Sequence, residues 1–331
     1  MSTFDLVGVG LNATDTLILV PHFPAYAGKV AFTQEKTSPG GQVASALAAC
    51  ASLGLRTKYI GTVGDDDRGR IQIEALKATG MNLEDVEIRA NCPNQSAYIV
   101  VDQSTGERTI FWHRPECLAI DPARITPEMI ACGRMLHIDG HDTPAVERAA
   151  RIARQHRIRV SVDVDTIYAG FDRVLPLVDY LVGSSEFPER WTGERDPLRA
   201  LERIQNEYKM PVAAMTLGHY GALARVSAGA GARVEAGASE RFLYSPAFVV
   251  NCVDTTGAGD VFHGAFCYAV LEELPIRESL EFANAMAALN CTKFGARGGL
   301  AAKPDIRALM AAGERRLHPD FAAFHHRDAR A

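Results

Sequence analysis

A chain of 331 residues, 47% hydrophobic and 23% charged, has ordinary globular composition, which excludes collagen-like, low-complexity and wholly disordered classes. Lys and Arg number 35 against 40 Asp and Glu, and the formal net charge of -5 provides no global positive field to gather nucleic acid or anionic lipid. No apolar stretch reaches the roughly 18 residues that a membrane span needs, and the length suits one large α/β domain with an appendage or two modest domains.

The opening MSTFDLVGVG lacks the basic segment and apolar run of a signal peptide, so a cytoplasmic protein is expected. Phe4 to Gly10 is a short apolar run ending in glycine and predicts a buried strand. Thr16 to Val20 predicts a second strand, stopped by Pro21, and Lys29 to Lys36 alternates loosely like a third. After Gly40 and Gly41, the apolar positions Val43, Ala46, Leu47, Cys50 and Leu53 share one helical face, and Gly54 is placed to end that helix. Tyr59 to Val63 follows as a strand, which gives a βαβ rhythm. Ala97 to Val101 and Arg108 to His113 read as two strands joined by a turn at 103–106, set apart as a small accessory sheet. The alternation then resumes with a strand at Met135 to Ile138, a helix at Thr143 to His156 and a strand at Arg159 to Val164. Strands at Tyr180 to Val182, Val212 to Thr216 and Ala222 to Val226 follow, then helices at Asp260 to Leu274 and Ile276 to Phe294. Such alternation argues a mostly parallel sheet covered by helices on both faces. Ser227 to Ser239 reads as a small-residue loop, and the tail from His318, with His325 and His326, as polar and frayed.

The seven cysteines are scattered and form no CxxC pair, so they are expected as reduced thiols, mostly within the core. Gly8, Gly10 and Ala13 match the G-x-G-x-x-A dinucleotide fingerprint on paper, but a helix must open there, and the following residues are β-rich. Gly28-Lys29 lacks the leading glycine and the Ser or Thr of a P-loop.

The chemistry is concentrated in Val253 to Phe266, VDTTGAGDVFHGAF. Gly257, Ala258 and Gly259 leave backbone N–H groups unobstructed where a helix begins, and such a helix start is an anion site. Asp260 beside it is read either as a helix cap or as a base for an incoming hydroxyl. As a base, it is expected to be kept ionised at neutral pH by the helix dipole.

DTTGAGD followed by an apolar helix resembles the C-terminal motif of the ribokinase-like (PfkB) carbohydrate kinases. The likeness spans nearly the whole chain: Gly40 and Gly41, VGDDDRG at 63–69, Thr216-Leu217-Gly218 with Gly221, and Asn284. It implies a single ribokinase-like domain over 1–331, with a central, mostly parallel sheet flanked by helices and a discontinuous β lid formed by about 14–38 and 95–115. It implies phosphorylation of a sugar hydroxyl by Mg-ATP, with Asp260 as base and Gly257, Ala258 and Gly259 as the anion hole. Thr216, Gly218, Gly221, Thr255 and Asn284 would meet the nucleotide. Asp15, Gly40, Gly41, Gln42, Ser45 and Arg108 would meet the sugar. Without the resemblance, Asp15 and the glycines at 218 and 221 read equally as turn residues, and Arg108 as a solvated strand residue.

The pattern departs from the family at two places. GGQVAS at 40–45 places Ser45 where many members have an Asn that contacts the sugar. The Asn-x-x-Glu motif that organises Mg²⁺ is degraded to Gly183-Ser184-Ser185-Glu186-Phe187, where Glu186 is the substitute. Asp254 with the Gly295 loop is a candidate for a monovalent cation such as K⁺. MLHIDGHDT, RVSVDVD and CTKFGARGG are similar to ketohexokinase and sulfofructose kinase, which favours a ketose such as fructose or a derivative. His113 and Arg114 are candidates for an acidic group on the substrate. A nucleoside kinase of the adenosine type and a non-catalytic sugar or nucleotide sensor are the alternatives. Exposed apolar lid strands such as Ala97 to Val101 suggest a homodimer.

Overall fold

The computed structural model describes residues 3–227 and 241–325. β1 (Phe4–Val9) sends Leu6 to one helical layer and Val7 and Val9 to the other, and this two-sided burial explains its unbroken apolar run. β2 runs from Ala13–Val20. A strand therefore stands where a dinucleotide fingerprint requires a helix, which removes that reading. β3 is Gln34–Gly40, not the expected Lys29 to Lys36. Pro39 and Gly40 read as a turn, yet β3 lies at the edge of its sheet, where Pro is tolerated.

α1 (Gln42–Ser52) is followed by Gly54 at φ +89°, then β4 (Thr57–Gly64). α2 (Asp67–Ala78) arises from the DDDRG segment because the Asp66 carboxylate caps it, accepting from Gly69 N at 2.9 Å. β5 (Val86–Arg89), β6 (Ser96–Asp102), β7 (Arg108–His113), α3 (Pro127–Ala131), β8 (Gly133–Ile138), α4 (Thr143–Gln155) and β9 (Arg159–Val164) follow. Next come β10 (Tyr180–Gly183), α5 (Phe187–Thr192), α6 (Pro197–Tyr208), β11 (Val212–Thr216), β12 (Ala222–Val226), β13 (Arg241–Ser245) and β14 (Ala247–Phe248). The chain ends with α7 (Ala258–Leu271), α8 (Ile276–Asn290), α9 (Lys303–Ala312) and β15 (Arg315–Arg316). Both expected C-terminal helices are shorter than their apolar patterns, and α9 is a third.

The main sheet has the order β13-β12-β11-β10-β9-β8-β1-β4-β5. Its strands pair in parallel except β12 and β13, which are antiparallel at one edge. α1, α7, α8 and α9 cover one face, and α4 and α6 the other.

A separate four-stranded sheet has the order β3-β2-β6-β7. Leu17, Leu19, Ala97, Ile99 and Val101 bury its inner face against Phe294. Ala97 to Val101 is thus not an exposed apolar run: alternation turns Ala97, Ile99 and Val101 inward and leaves Tyr98 outward.

Two further expectations are corrected. Cys92 and Cys117 form a disulfide, with Cα atoms 6.1 Å apart, and so are not reduced thiols; Cys50, Cys132, Cys252, Cys267 and Cys291 are free. Proximity across the fold brings the pair together, which their spacing of 25 residues does not reveal. The tail is also held down. His318 N donates to the Tyr244 hydroxyl at 2.7 Å, its ring stacks on Phe321, and the His325 ring meets Tyr244. Most of the loop expected at Ser227 to Ser239, and His326, lie outside the described residues. Among the described residues, no helix is long and apolar enough to cross a membrane.

Candidate active site

A cleft of about 780 Å³ opens where β1, β8, β9, β10 and β11 end, beneath the inner face of the small sheet. Carboxyl ends of parallel strands are where open α/β sheets bind ligands, because loops and helix starts converge there. Asp15, Gly41, Gln42, Arg108, Thr216, Gly218, Gly221, Thr255, Gly257, Ala258, Gly259, Asp260 and Asn284 all line this one space. Gly40 stands just behind its wall against Asp15, and Ser45 behind it as well, its N–H donating to the Gly41 carbonyl at 2.8 Å.

Asp260 occupies the first turn of α7, whose N-cap is Gly257 at φ +72°. A side chain at Gly257 would collide with the Ala296 carbonyl, so both the conformation and the contact demand glycine. The amide inventory refines the expected anion hole. Ala258 N donates to the Thr255 carbonyl at 3.2 Å and is spent. Among the described residues, the amides of Gly257, Gly259 and Asp260 have no partner and remain available.

The electrostatics reverse the expected sign at Asp260. Removal from water lifts its carboxyl to about 6, and the nearby Asp163 carboxylate adds to the rise. His263, Arg108 and Arg297 pull the other way, and the helix start does not prevail. Asp15 is likewise raised to about 7, by burial first and then by Asp260, with Arg297 opposing. Gly40 is tight against Asp15: a Cβ there would overlap the carboxylate.

Neighbouring expected residues prove to be committed elsewhere. Ser45 Oγ accepts from Arg297 Nε at 3.0 Å, and the Gln42 side chain faces Asp163 and helps to lower its carboxyl. The Asn284 amide donates to the Ser245 carbonyl and hydroxyl, each at 2.9 Å, which braces that part of the wall. Arg108 Nη1 donates to Thr255 Oγ1 at 2.8 Å, tying the small sheet to the segment before α7. Arg114 is paired with Asp142 and donates to the Leu118 carbonyl at 2.8 Å, so its charge is neutralised. His113, fully on the exposed strand β7, does not line the cleft. Neither offers a free cation to an acidic substrate group. Glu186 is 78% exposed beside Arg190 and does not reach the cleft. Asp254 is fully buried, and its carboxylate accepts from Thr256 N at 2.8 Å and Gly295 N at 2.9 Å.

Three groupings were not anticipated. Arg297 reaches the Gly40 carbonyl at 2.9 Å from the GARGG loop, a segment whose resemblance to ketose kinases did not single out the arginine. Asp163 receives His263 Nε2 at 3.1 Å; burial opposes its ionisation, yet His263 holds it below the usual carboxylate range. An acid inside the apolar strand RVSVDVD, and a His three residues after Asp260, were the visible clues. Trp112, His141 and Tyr168 form an aromatic wall, with the Tyr168 hydroxyl 2.8 Å from His141 Nε2. Burial lowers the His141 imidazole to about 4, so it is neutral there at pH 7.

Comparison with known proteins follows the same lines. Residues 5–303 match the family described as pfkB family carbohydrate kinase. An ATP-dependent ribose-1-phosphate kinase of Halopiger xanaduensis is 28% identical over 287 residues, covering 86% of this chain and 90% of that protein. A ribokinase of Bacillus subtilis is 26% identical over 309 residues, covering 91% and 98%. The structure of Arabidopsis thaliana ribokinase, complexed with ribose and ATP, superposes with a TM-score of 0.73 at 22% identity, covering 94% and 100%.

Proposed function

The chain belongs to the pfkB family of carbohydrate kinases, and from that premise we propose that it transfers the terminal phosphoryl group of Mg-ATP to a hydroxyl of a neutral sugar, a ketose such as fructose being favoured, with Asp260 as the base. The observation that carries this reading is the convergence on one cleft of Asp260, the free amides at the start of α7 and Asp15. Phosphoryl transfer depends on position and charge stabilisation more than on strong basicity. A carboxylate with a pKa of about 6 is ionised at pH 7.5, and its Oδ can collect the acceptor's proton as the P–O bond forms. The Gly257, Gly259 and Asp260 amides then face the negative charge of the group in transit.

Neutrality of the acceptor is argued from the lining. Asp15, Glu107, Asp163, Asp165 and Asp260 outnumber Arg108 and Arg316 there, and Arg114 is already paired. Carboxyl oxygens accept from hydroxyls, and Arg108, beside Asp260, is already bonded to Thr255, so the acceptor end suits a polyol over a sugar phosphate. The ketose preference rests on the resemblance of 135–143 and 291–299 to ketose kinases. A second reading, a nucleoside acceptor, is favoured by the Trp112, His141 and Tyr168 wall, which could stack on a base.

Mg²⁺ would arrive with the nucleotide. Among the described residues, no group of three or more His, Cys, Asp or Glu could hold an ion, which fits a Mg²⁺ bound chiefly by phosphate oxygens and water. For a monovalent cation such as K⁺, Asp254 fits: it is buried, has no ion pair among the described residues, and retains lone pairs beyond its two backbone donors. K⁺ is expected to stimulate the enzyme, and Asp254→Asn to abolish that stimulation; equal rates with and without K⁺ would remove the assignment.

The four-stranded sheet is the proposed lid, excluding water when substrate draws Ile110 and Trp112 down. Its outward face, with Tyr98 and Phe111, is the proposed contact of a homodimer. A cytoplasmic location is proposed as well, although Cys92–Cys117 is unusual there and fractionation would decide it.

The test is ADP release from Mg-ATP across ketoses, pentoses, keto-acid sugars, sulfofructose, sugar phosphates and nucleosides. A neutral sugar should be the strong acceptor, and Asp260→Asn should keep its fold and lose ~10²-fold or more of turnover. A sugar phosphate or a nucleoside preferred over every neutral sugar would overturn the acceptor class.

A further inference from the structure

Asp15 and Asp260 line the same cleft, the Asp260 charge raises the proton affinity of Asp15, and Asp260 must be ionised to take a hydroxyl proton. Three cationic or potentially cationic groups act on Asp260: His263, Arg108 and Arg297. His263 is already spoken for by Asp163 at 3.1 Å. Arg108 is exposed, projects from edge strand β7 and is bonded to Thr255. Arg297 differs from both. Its Nε donates to Ser45 Oγ at 3.0 Å and its Nη2 to the Gly40 carbonyl at 2.9 Å. Gly40 is the residue whose other side abuts the Asp15 carboxylate. Yet Arg297 makes no ion pair within 4.0 Å with Asp15, Asp260 or any other acid among the described residues.

We propose that Arg297 is a positioning residue, the fixed counter-charge shared by Asp15 and Asp260, anchored on Ser45 and Gly40 so that its charge acts on both carboxylates while their oxygens remain free for the acceptor. A direct salt bridge would occupy the lone pairs that bind and deprotonate the sugar. A guanidinium held by neutral acceptors supplies the field without that cost, because charge acts through a desolvated site over longer distances than a hydrogen bond. Arginine suits the task, since it stays protonated even where burial lowers it to about 10. This also gives Ser45 a purpose. The shorter side chain leaves room for, and a hydroxyl to, the arginine. The groups facing this set are Asp15 from β2, Tyr59 from β4, Arg108 from β7, Asp163 from β9, and Asp260 and His263 from α7.

The proposal rests on the kinase reading for its consequence in turnover, but its test does not need an acceptor. In protein labelled with ¹³C at the aspartate carboxyls, the Asp15 and Asp260 resonances are assigned through Asp15→Asn and Asp260→Asn and followed from pH 4 to 9. In Arg297→Gln both midpoints should rise by about one pH unit or more, and Arg297→Lys should hold them nearer the native values. Ser45→Ala, which only loosens the anchor, should move them the same way by less, and it serves alone if Arg297→Gln does not fold. With an acceptor in hand, the acidic limb of kcat should move up in parallel, with turnover regained toward pH 9. Midpoints unmoved in whichever of the two variants folds would overturn the proposal. Failure of ADP release with unmoved native titrations would instead strike the kinase reading alone.

Discussion

At Asp15 the requirements of binding and of stability oppose each other. Its carboxyl titrates at about 7 in the folded chain against 3.8 when exposed. Between those values the native state holds more protons than the unfolded state, so stability falls as pH rises through that window and the cost is complete above pH 7. Asp15→Asn should therefore raise the melting temperature at pH 8, with the gain fading toward pH 4, while sugar binding is lost. A variant no more stable at pH 8 than at pH 4, relative to native, would contradict the assigned burial. Asp15 stands out in the sequence only through the family resemblance and Asp260 through the glycine run before an apolar helix, and the fold brings both to one cleft. The sign of the Asp260 shift was not legible there. A helix start argues for a depressed value, but the burial and the Asp163 charge that outweigh it come from a strand 97 residues earlier. Arg297 was illegible for the same reason: its meaning lies wholly in Ser45 and Gly40, more than 250 residues away.

Among the elements, the β6–β7 hairpin shows how much a strand pattern reveals and what it omits. Both strands and the turn between them follow from β-branched and aromatic runs around Ser104-Thr105-Gly106. Their closure at the base by Cys92–Cys117 does not. That bond closes a loop with a separation of 25 residues, and restricting the unfolded chain to that extent is worth about 3 kcal/mol. Cys92→Ser should lower the melting temperature under non-reducing conditions and abolish its response to reductant. Equal melting of native protein with and without reductant would show that the bond does not contribute. α6 carries Leu198, Leu201 and Ile204 at helical spacing behind Asp196, a clear signal that a reading centred on β-rich runs passes over. β3 was displaced because Thr37-Ser38-Pro39-Gly40 has turn composition, and only pairing with β2 makes it a strand.

For the molecule as a whole, the alternation of strands and helices carried the architecture, since a sheet buried on both faces must read as apolar runs separated by amphipathic helices. Ala222 to Val226 reads as a strand like the others, since β12 is buried on both faces, but its antiparallel direction and the edge strand β13 do not, because burial alone does not fix strand direction. The small sheet presents Tyr98 at 48% and Phe111 at 59% exposure on the face turned from the cleft, large rings that a partner would cover. Light scattering should therefore report about twice the 35.9 kDa chain mass, and Phe111→Glu should return it to the monomer. A native monomer at working concentration would remove the dimer.

The central claim is that this cleft joins phosphate to a sugar hydroxyl through Asp260. The most direct measurement is ³¹P NMR of the reaction with Mg-ATP and the best acceptor, followed across pH 5 to 9. The account predicts a new phosphomonoester resonance, coupled to the protons of one carbinol, formed at a rate that falls below about pH 6 and is lost in Asp260→Asn. Inorganic phosphate without ester, or ester formed equally well by Asp260→Asn, would contradict it.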